Sequence, residues 1–195
     1  LTLILSDTLF INESMSIQLF GVSDCYQNRA DLTTQFVLPQ PVSKGLVINE
    51  ILYDPVPGGV DFLELYNHTD GHMSFNGTSI GNGDEEAMLP IGTIMEPFAY
   101  LLLTPDTLKH LLEFPNTPLN TLIEFDLSAT PNEGGMLFLR RDTSIDVMNY
   151  EDELHSSLLA STEGVLLERL SPEMAGSILG NWYSAASTSD FATPG

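Results

Sequence analysis

Bulky apolar residues alternate with polar ones along much of this chain, and that period of two predicts strands. In "MSIQLFGV" (15–22), Met15, Ile17 and Leu19 fall on one face. "DCYQN" (24–28) reads as a turn and "LTTQFVL" (32–38) as the next strand. The two prolines of "PQPVSKG" (39–45) cannot donate to a sheet ladder, which predicts a linker and a domain boundary. "LVINEILYDPVPGGVDFLELYN" (46–67) is two apolar strands around a Pro/Gly turn, followed by a polar loop over 67–78.

Further on, "FAYLLLT" (98–104) fits a buried strand, and "TPDTLKHLLEF" (104–114) is the one helix signal. There Thr104 can cap, Pro105 takes the first helical position, and Leu108, Leu111 and Leu112 share a face until Pro115 stops it. "TLIEFDL" (121–127) is a strand, residues 134–150 a hairpin turning near Asp142, and "GVLLERL" (164–170) a strand ended by Pro172. The tail from Asn181 is loop-like, with Trp182 as an anchor closing the end of the fold. Short strands between turn residues, with one short helix, predict an all-β sandwich or barrel.

Composition narrows the function classes. Hydrophobic residues make up 43% of the 195, enough for a core. The formal net charge is -21, from 27 acidic and 6 basic residues, a field that repels phosphate and argues against nucleic acid as a partner. The single cysteine, Cys25, cannot form an internal disulfide, and its setting suggests a small side chain packed at a sandwich end. No apolar run approaches the roughly 20 residues of a membrane helix. The chain starts at Leu1 without a methionine or a signal peptide, so a processed or trimmed piece of a longer protein is expected.

Three segments carry a family resemblance. "VINEILYDPVPGGVDFLELYN" resembles the opening hairpin of a lamin-tail domain of the secreted and surface type found in Bacteroidetes. "GVLLERLSP" resembles that family's "GVSLER" segment, and "NWYSAASTSDFATPG" its "NW.SA…TPG" ending. The resemblance covers residues 46–195 and implies an immunoglobulin-like β-sandwich, no enzymatic activity and no catalytic residues. Ahead of it, "MSIQLFGVSDCYQNRADLTTQFVL" is similar to the last two strands of a bacterial immunoglobulin-like domain, with Tyr26 and Gln27 where that turn usually has a small residue and Gly. The implied organisation is 1–42 as the end of that domain plus linker, and 43–195 as the lamin-tail domain. Strands severed from a sandwich expose their edges, so 1–38 is expected to add to the lamin-tail sheet or to pair with a second copy of the chain.

The hairpin also poses a chemical question. By alternation Glu50 shares a strand face with Ile48 and Leu52, and Glu64 shares one with Val60, Phe62 and Tyr66, and a turn near Pro57 sets the two carboxylates opposite each other. Like charges across a ladder repel, and burial worsens it. A guanidinium, a metal ion or solvent could offset this; the expectation is that Arg169 bridges Glu50 and Glu64. A catalytic carboxylate pair lacks any accompanying nucleophile signature. Calcium is a candidate cofactor through loop carboxylates Asp54, Asp61, Asp70, Asp84, Glu85 and Glu86, although none has EF-hand spacing.

His68 and His72 lie four apart in a Gly-containing loop rather than on a helix. His155 beside Ser156 and Ser157 does not make a triad by adjacency. Asn-x-Ser/Thr sequons stand at Asn12, Asn67 and Asn76. Two functional classes follow. One is a non-catalytic structural or adhesion module at the extracellular or outer-membrane surface of a bacterium, with a protein or glycan partner. The other is an accessory domain of a larger extracellular nuclease or phosphatase.

Overall fold

The computed structural model describes residues 8–127 and 130–186. It is mostly β with one α-helix, arranged in several open sheets. The first strands, β1 (Ser14–Ser23) and β2 (Arg29–Val37), form an antiparallel hairpin through the expected turn, where Asp24 Oδ1 accepts from the N–H groups of Tyr26 and Asn28. Cys25 in that turn is exposed rather than packed. Among the described residues β1 and β2 pair with no other strand, so the expected addition of 1–38 to a larger sheet is not made. Residues 1–7 of that segment lie outside the described residues. The register explains the hairpin's two-faced character: Met15 opposes Phe36 and Leu19 opposes Leu32, while Ser14, Ser16 and Gln18 point the other way.

Among the described residues the remaining strands build three sheets. β3 (Gln40–Pro41) lies within the supposed linker and pairs in parallel with β6 (Met73–Ser74), which pairs with β9 (Ile94–Met95). The hairpin β4 (Leu46–Leu52) and β5 (Phe62–Asn67) lies at the centre of a six-stranded sheet with β10 (Tyr100–Thr104), β11 (Leu122–Glu124), β14 (Leu167–Arg169) and β15 (Trp182–Ser184). The order is β11-β10-β5-β4-β14-β15. A four-stranded sheet runs β13-β12-β7-β8, built from β7 (Ser79–Gly81), β8 (Glu86–Met88), β12 (Gly135–Arg141) and β13 (Thr143–Tyr150). Asp142 turns the β12–β13 hairpin at a φ of 60°, a left-handed conformation that Asp tolerates better than bulky residues do.

Alternation then assigns the core. Ile48, Ile51, Leu63, Leu65 and Leu103 of the six-stranded sheet and Ile80, Leu137, Leu139, Met148 and Tyr150 of the four-stranded one share a single buried cluster, joined by Met73 and Met95. Leu52, Phe62, Leu102 and Leu166 point to the other face and form a second, smaller cluster with Phe114. The helix α1 (Thr107–Glu113) lies beside that cluster, because Phe114 ends it.

The helix departs from its predicted form. Asp106 caps it, accepting from Lys109 N at 3.0 Å, where Thr104 was expected to. Thr104 instead belongs to β10 and donates to Asp61 O. Leu108 and Leu112 are 76% and 85% exposed, and the residue the helix buries is His110. The leucine stripe thus faces solvent, and His110 takes the place against Phe62.

Candidate functional site

Glu50 and Glu64 are direct cross-strand partners, as the hairpin pattern predicts. The register adds a third carboxylate: Glu168 of β14 opposes Glu50 from the other side, and Tyr183 of β15 opposes Glu168. The six-stranded sheet thus carries the row Tyr183, Glu168, Glu50, Glu64 across four adjacent strands. Glu168, Glu50 and Glu64 are 8%, 5% and 1% exposed. Asn49 makes the row possible. It is the extra residue between the Ile48–Leu65 and Glu50–Glu64 pairs, a bulge that turns Ile48 to the core and Glu50 away from it. The simple alternation that put Ile48 and Glu50 on one face is corrected by that bulge. The Asn49 side chain donates to Glu64 Oε1 at 2.9 Å.

One step along β5, Tyr66 opposes Tyr100 of β10, and their rings stack with centroids 4.5 Å apart. The Tyr183 hydroxyl donates to Glu168, which with burial pushes the phenol up to about 12. Burial pushes the Tyr100 phenol upward, helped by Tyr66 and by the charges of Glu64 and Glu50. The like-charge register makes a prediction. Glu50→Gln should raise stability at pH 8 by about 1–2 kcal/mol, read from urea denaturation. A loss of stability there would mean that Glu50 is held as a needed anion, by a cation or a hydrogen-bond network.

Arg169 does not bridge these glutamates. Neighbouring residues on a strand face opposite ways, so with Glu168 in the outer row Arg169 points inward. Its five hydrogen bonds go to Asp146 Oδ2 at 2.6 Å and Oδ1 at 3.4 Å, and to the carbonyls of Ile48, Ser171 and Met174. Asp146 lies on β13, in the other sheet, and also accepts from Ile48 N and Gly176 N. Both partners are 8% exposed. The pair therefore joins the two sheets through backbone groups at the Asn49 bulge.

Asn181 and Trp182, from the tail segment that carries the resemblance, fix the same place. Asn181 donates to Ser171 O and Met174 O and accepts from Ser171 N, and Trp182 Nε1 donates to Gly176 O at 2.7 Å. A Cβ on Gly176 would stand 2.7 Å from Val147 O and 2.9 Å from Asp146 Oδ1, so only glycine allows this approach. Trp182 is thus the expected anchor, though on an edge strand rather than in a loop. The tail beyond 186 lies outside the described residues. Beside this loop opens a cleft of about 600 Å³ lined by Lys44, His68, Thr69, Ser144 and Glu173.

The acidic loops are engaged locally. Asp54 accepts from Asn132, and Asp61 is pushed up to about 6 by burial and then by the charge of Asp54. Tyr53 donates to Asp152 Oδ1 at 3.0 Å, and burial with that hydrogen bond pushes its phenol upward. Asn82 Oδ1 accepts from the backbone N–H groups of Asp84 and Glu85, while Glu86 pairs with Arg140 and Ser79. Among the described residues no three His, Cys, Asp or Glu side chains are grouped to hold a metal ion, so the geometry gives the calcium candidates no common centre.

His68 pairs with Glu173 at 3.5 Å rather than joining His72 in a metal site. His155 Nδ1 meets Ser184 Oγ at 3.1 Å, not the adjacent serines. Asn67 is fully buried, donating to Gly71 O and Glu96 O, so its sequon is closed to modification.

Sequence reasoning missed Asp146, His110 and Glu168. A signal existed for the first: Asp146 alternates with Met148 and Tyr150, both core residues. No family model, curated protein or solved structure matches the chain.

Proposed function

We propose that this chain is a non-catalytic structural or adhesion module of the lamin-tail type, working at the extracellular or outer-membrane surface of a bacterium. The observation that supports it best is where the resembling segments lie. Residues 46–67, 164–172 and 181–186 supply β4, β5, β14 and β15, adjacent strands of one sheet. Arg169, Asn181 and Trp182 from those segments converge on one loop. A core shared by the six- and four-stranded sheets supports an immunoglobulin-like sandwich as the architecture. The near-complete burial of Glu50 and Glu64 supports structural roles, because a substrate could scarcely reach them.

The test has two arms. The purified chain is assayed against phosphodiester, phosphomonoester, glycoside and peptide substrates, with the expected result of no turnover above buffer. Intact producing cells are treated with an impermeant protease, with the expected result that the segment is released. Turnover that a single substitution abolishes, or protection from the protease until the cells are lysed, would overturn the reading.

A further inference from the structure

The outer face of the six-stranded sheet is divided. One half is covered by the cluster of Leu52, Phe62, Leu102 and Leu166 with Phe114. The other half presents tyrosines. Tyr100 is 38% and Tyr183 41% exposed, and Tyr66 lies half-buried against Tyr100. By register Tyr183 marks one side of the glutamate row, and the Tyr66–Tyr100 pair borders the other. Strands lie about 4.8 Å apart, so β15 and β5 are separated by roughly 14 Å. That is about four residues of extended peptide.

The chemistry between the tyrosines is acidic. Glu168, Glu50 and Glu64 stand between the tyrosines in the cross-strand row, and the Tyr183 hydroxyl donates to Glu168 at one end of it. A charge under low-dielectric cover acts over a longer reach than one in water. The basic group next in sequence, Arg169, points away into its pair with Asp146. His68, at the end of β5, is paired with Glu173. Electron-rich ring faces flanking a row of carboxylates match a cation, and the chain's net charge of -21 draws cations toward the surface.

We propose that this face docks an extended segment of a partner protein, seating Lys or Arg side chains about four residues apart on Tyr183 and on the Tyr66–Tyr100 pair, at either side of the row Glu168, Glu50 and Glu64. The proposal rests on the reading of the chain as a surface module and gives its partner a chemistry. Aromatic faces with polar neighbours also suit sugars, but a row of carboxylates favours the cation.

The probe is the blocked peptide Arg-Gly-Ser-Gly-Arg, titrated calorimetrically at 150 mM salt. Tyr100→Ala and Tyr183→Ala should each weaken binding five- to tenfold, while Tyr100→Phe stays within twofold. The double variant Asp84→Asn/Glu85→Gln, which removes two charges from a distant turn, should change affinity less than twofold. If Tyr100→Ala fails to fold, Tyr100→Leu keeps the bulk without the ring face and should weaken binding as much. Equal weakening by the Asp84/Glu85 variant would show attraction to the general field alone and overturn the site. So would tyrosine variants that bind normally, or oligosaccharide binding at these tyrosines with no peptide binding. Any of these failures leaves the non-catalytic reading standing, because that reading is decided by turnover and cell-surface exposure.

Discussion

Replacing Arg169 with methionine is expected to destabilise the fold by about 3–5 kcal/mol, seen as a lowered midpoint in urea denaturation. The side chain packs between two sheets, and methionine fills part of its volume without its charge. Asp146 is then left in the interior with two backbone N–H donors, those of Ile48 and Gly176, and no cation. The carbonyls of Ile48, Ser171 and Met174 lose a donor at the same time. Breaking one side of a buried pair costs more than the pair contributes, because the remaining charge is stranded. The double variant Arg169→Met/Asp146→Asn should therefore recover a measurable part of the loss. Arg169→Lys should not rescue fully, since an ammonium cannot present the planar fork that meets both Asp146 oxygens. A loss under 1 kcal/mol for Arg169→Met would refute the role of this pair in joining the sheets.

That pair also marks where local sequence reading stops. The opposition of Glu50 and Glu64 was legible because a hairpin of known turn position fixes its own register. The identity of the third carboxylate was not, because the pairing of β14 with β4 spans more than a hundred residues. The same distance hid the partner of Arg169. "LLERL" shows that Glu168 and Arg169 face opposite ways, yet not which face is the interior. The Asn49 bulge was invisible for another reason: a bulge is a mismatch between two strands, and neither strand alone records it.

The strands β6 to β9 were missed because two or three residues are too few to show a period. In α1 the apolar residues themselves misled. A leucine-rich stretch reads as a buried face, but Leu108 and Leu112 face solvent and His110 takes the interior position.

His110 should make stability fall on acidification, by up to about 3 kcal/mol between pH 6.5 and pH 4. Its ring lies edge-on to Phe62 with centroids 5.1 Å apart and beside Phe114, with Nε2 3.0 Å from Thr117 Oγ1. Burial lowers its pKa to about 4, from 6.5 in a free chain. Between those values the unfolded chain binds the extra proton and the folded one does not, so stability rises with pH across the window and is lost as pH falls through it.

Asp61 works against this. Burial and Asp54 raise its pKa from 3.8 to about 6, so the folded chain holds the proton more tightly, and stability is lost as pH rises through that range. Its contribution is at most about 3 kcal/mol, and less after allowing for its partial exposure. The two effects oppose each other and nearly cancel between pH 4 and 6. Single substitutions separate them. His110→Gln leaves Asp61 alone, and the gain in stability from pH 4.5 to pH 7 should drop by about 2 kcal/mol relative to wild type. Asp61→Asn leaves His110 alone, and the same gain should increase by about 1–2 kcal/mol. Urea denaturation at the two pH values reads both. The comparison is a slope, so any packing loss in His110→Gln drops out. Identical slopes for wild type and His110→Gln would mean that His110 is as easily protonated in the fold as in the open chain, contrary to its burial against Phe62 and Phe114.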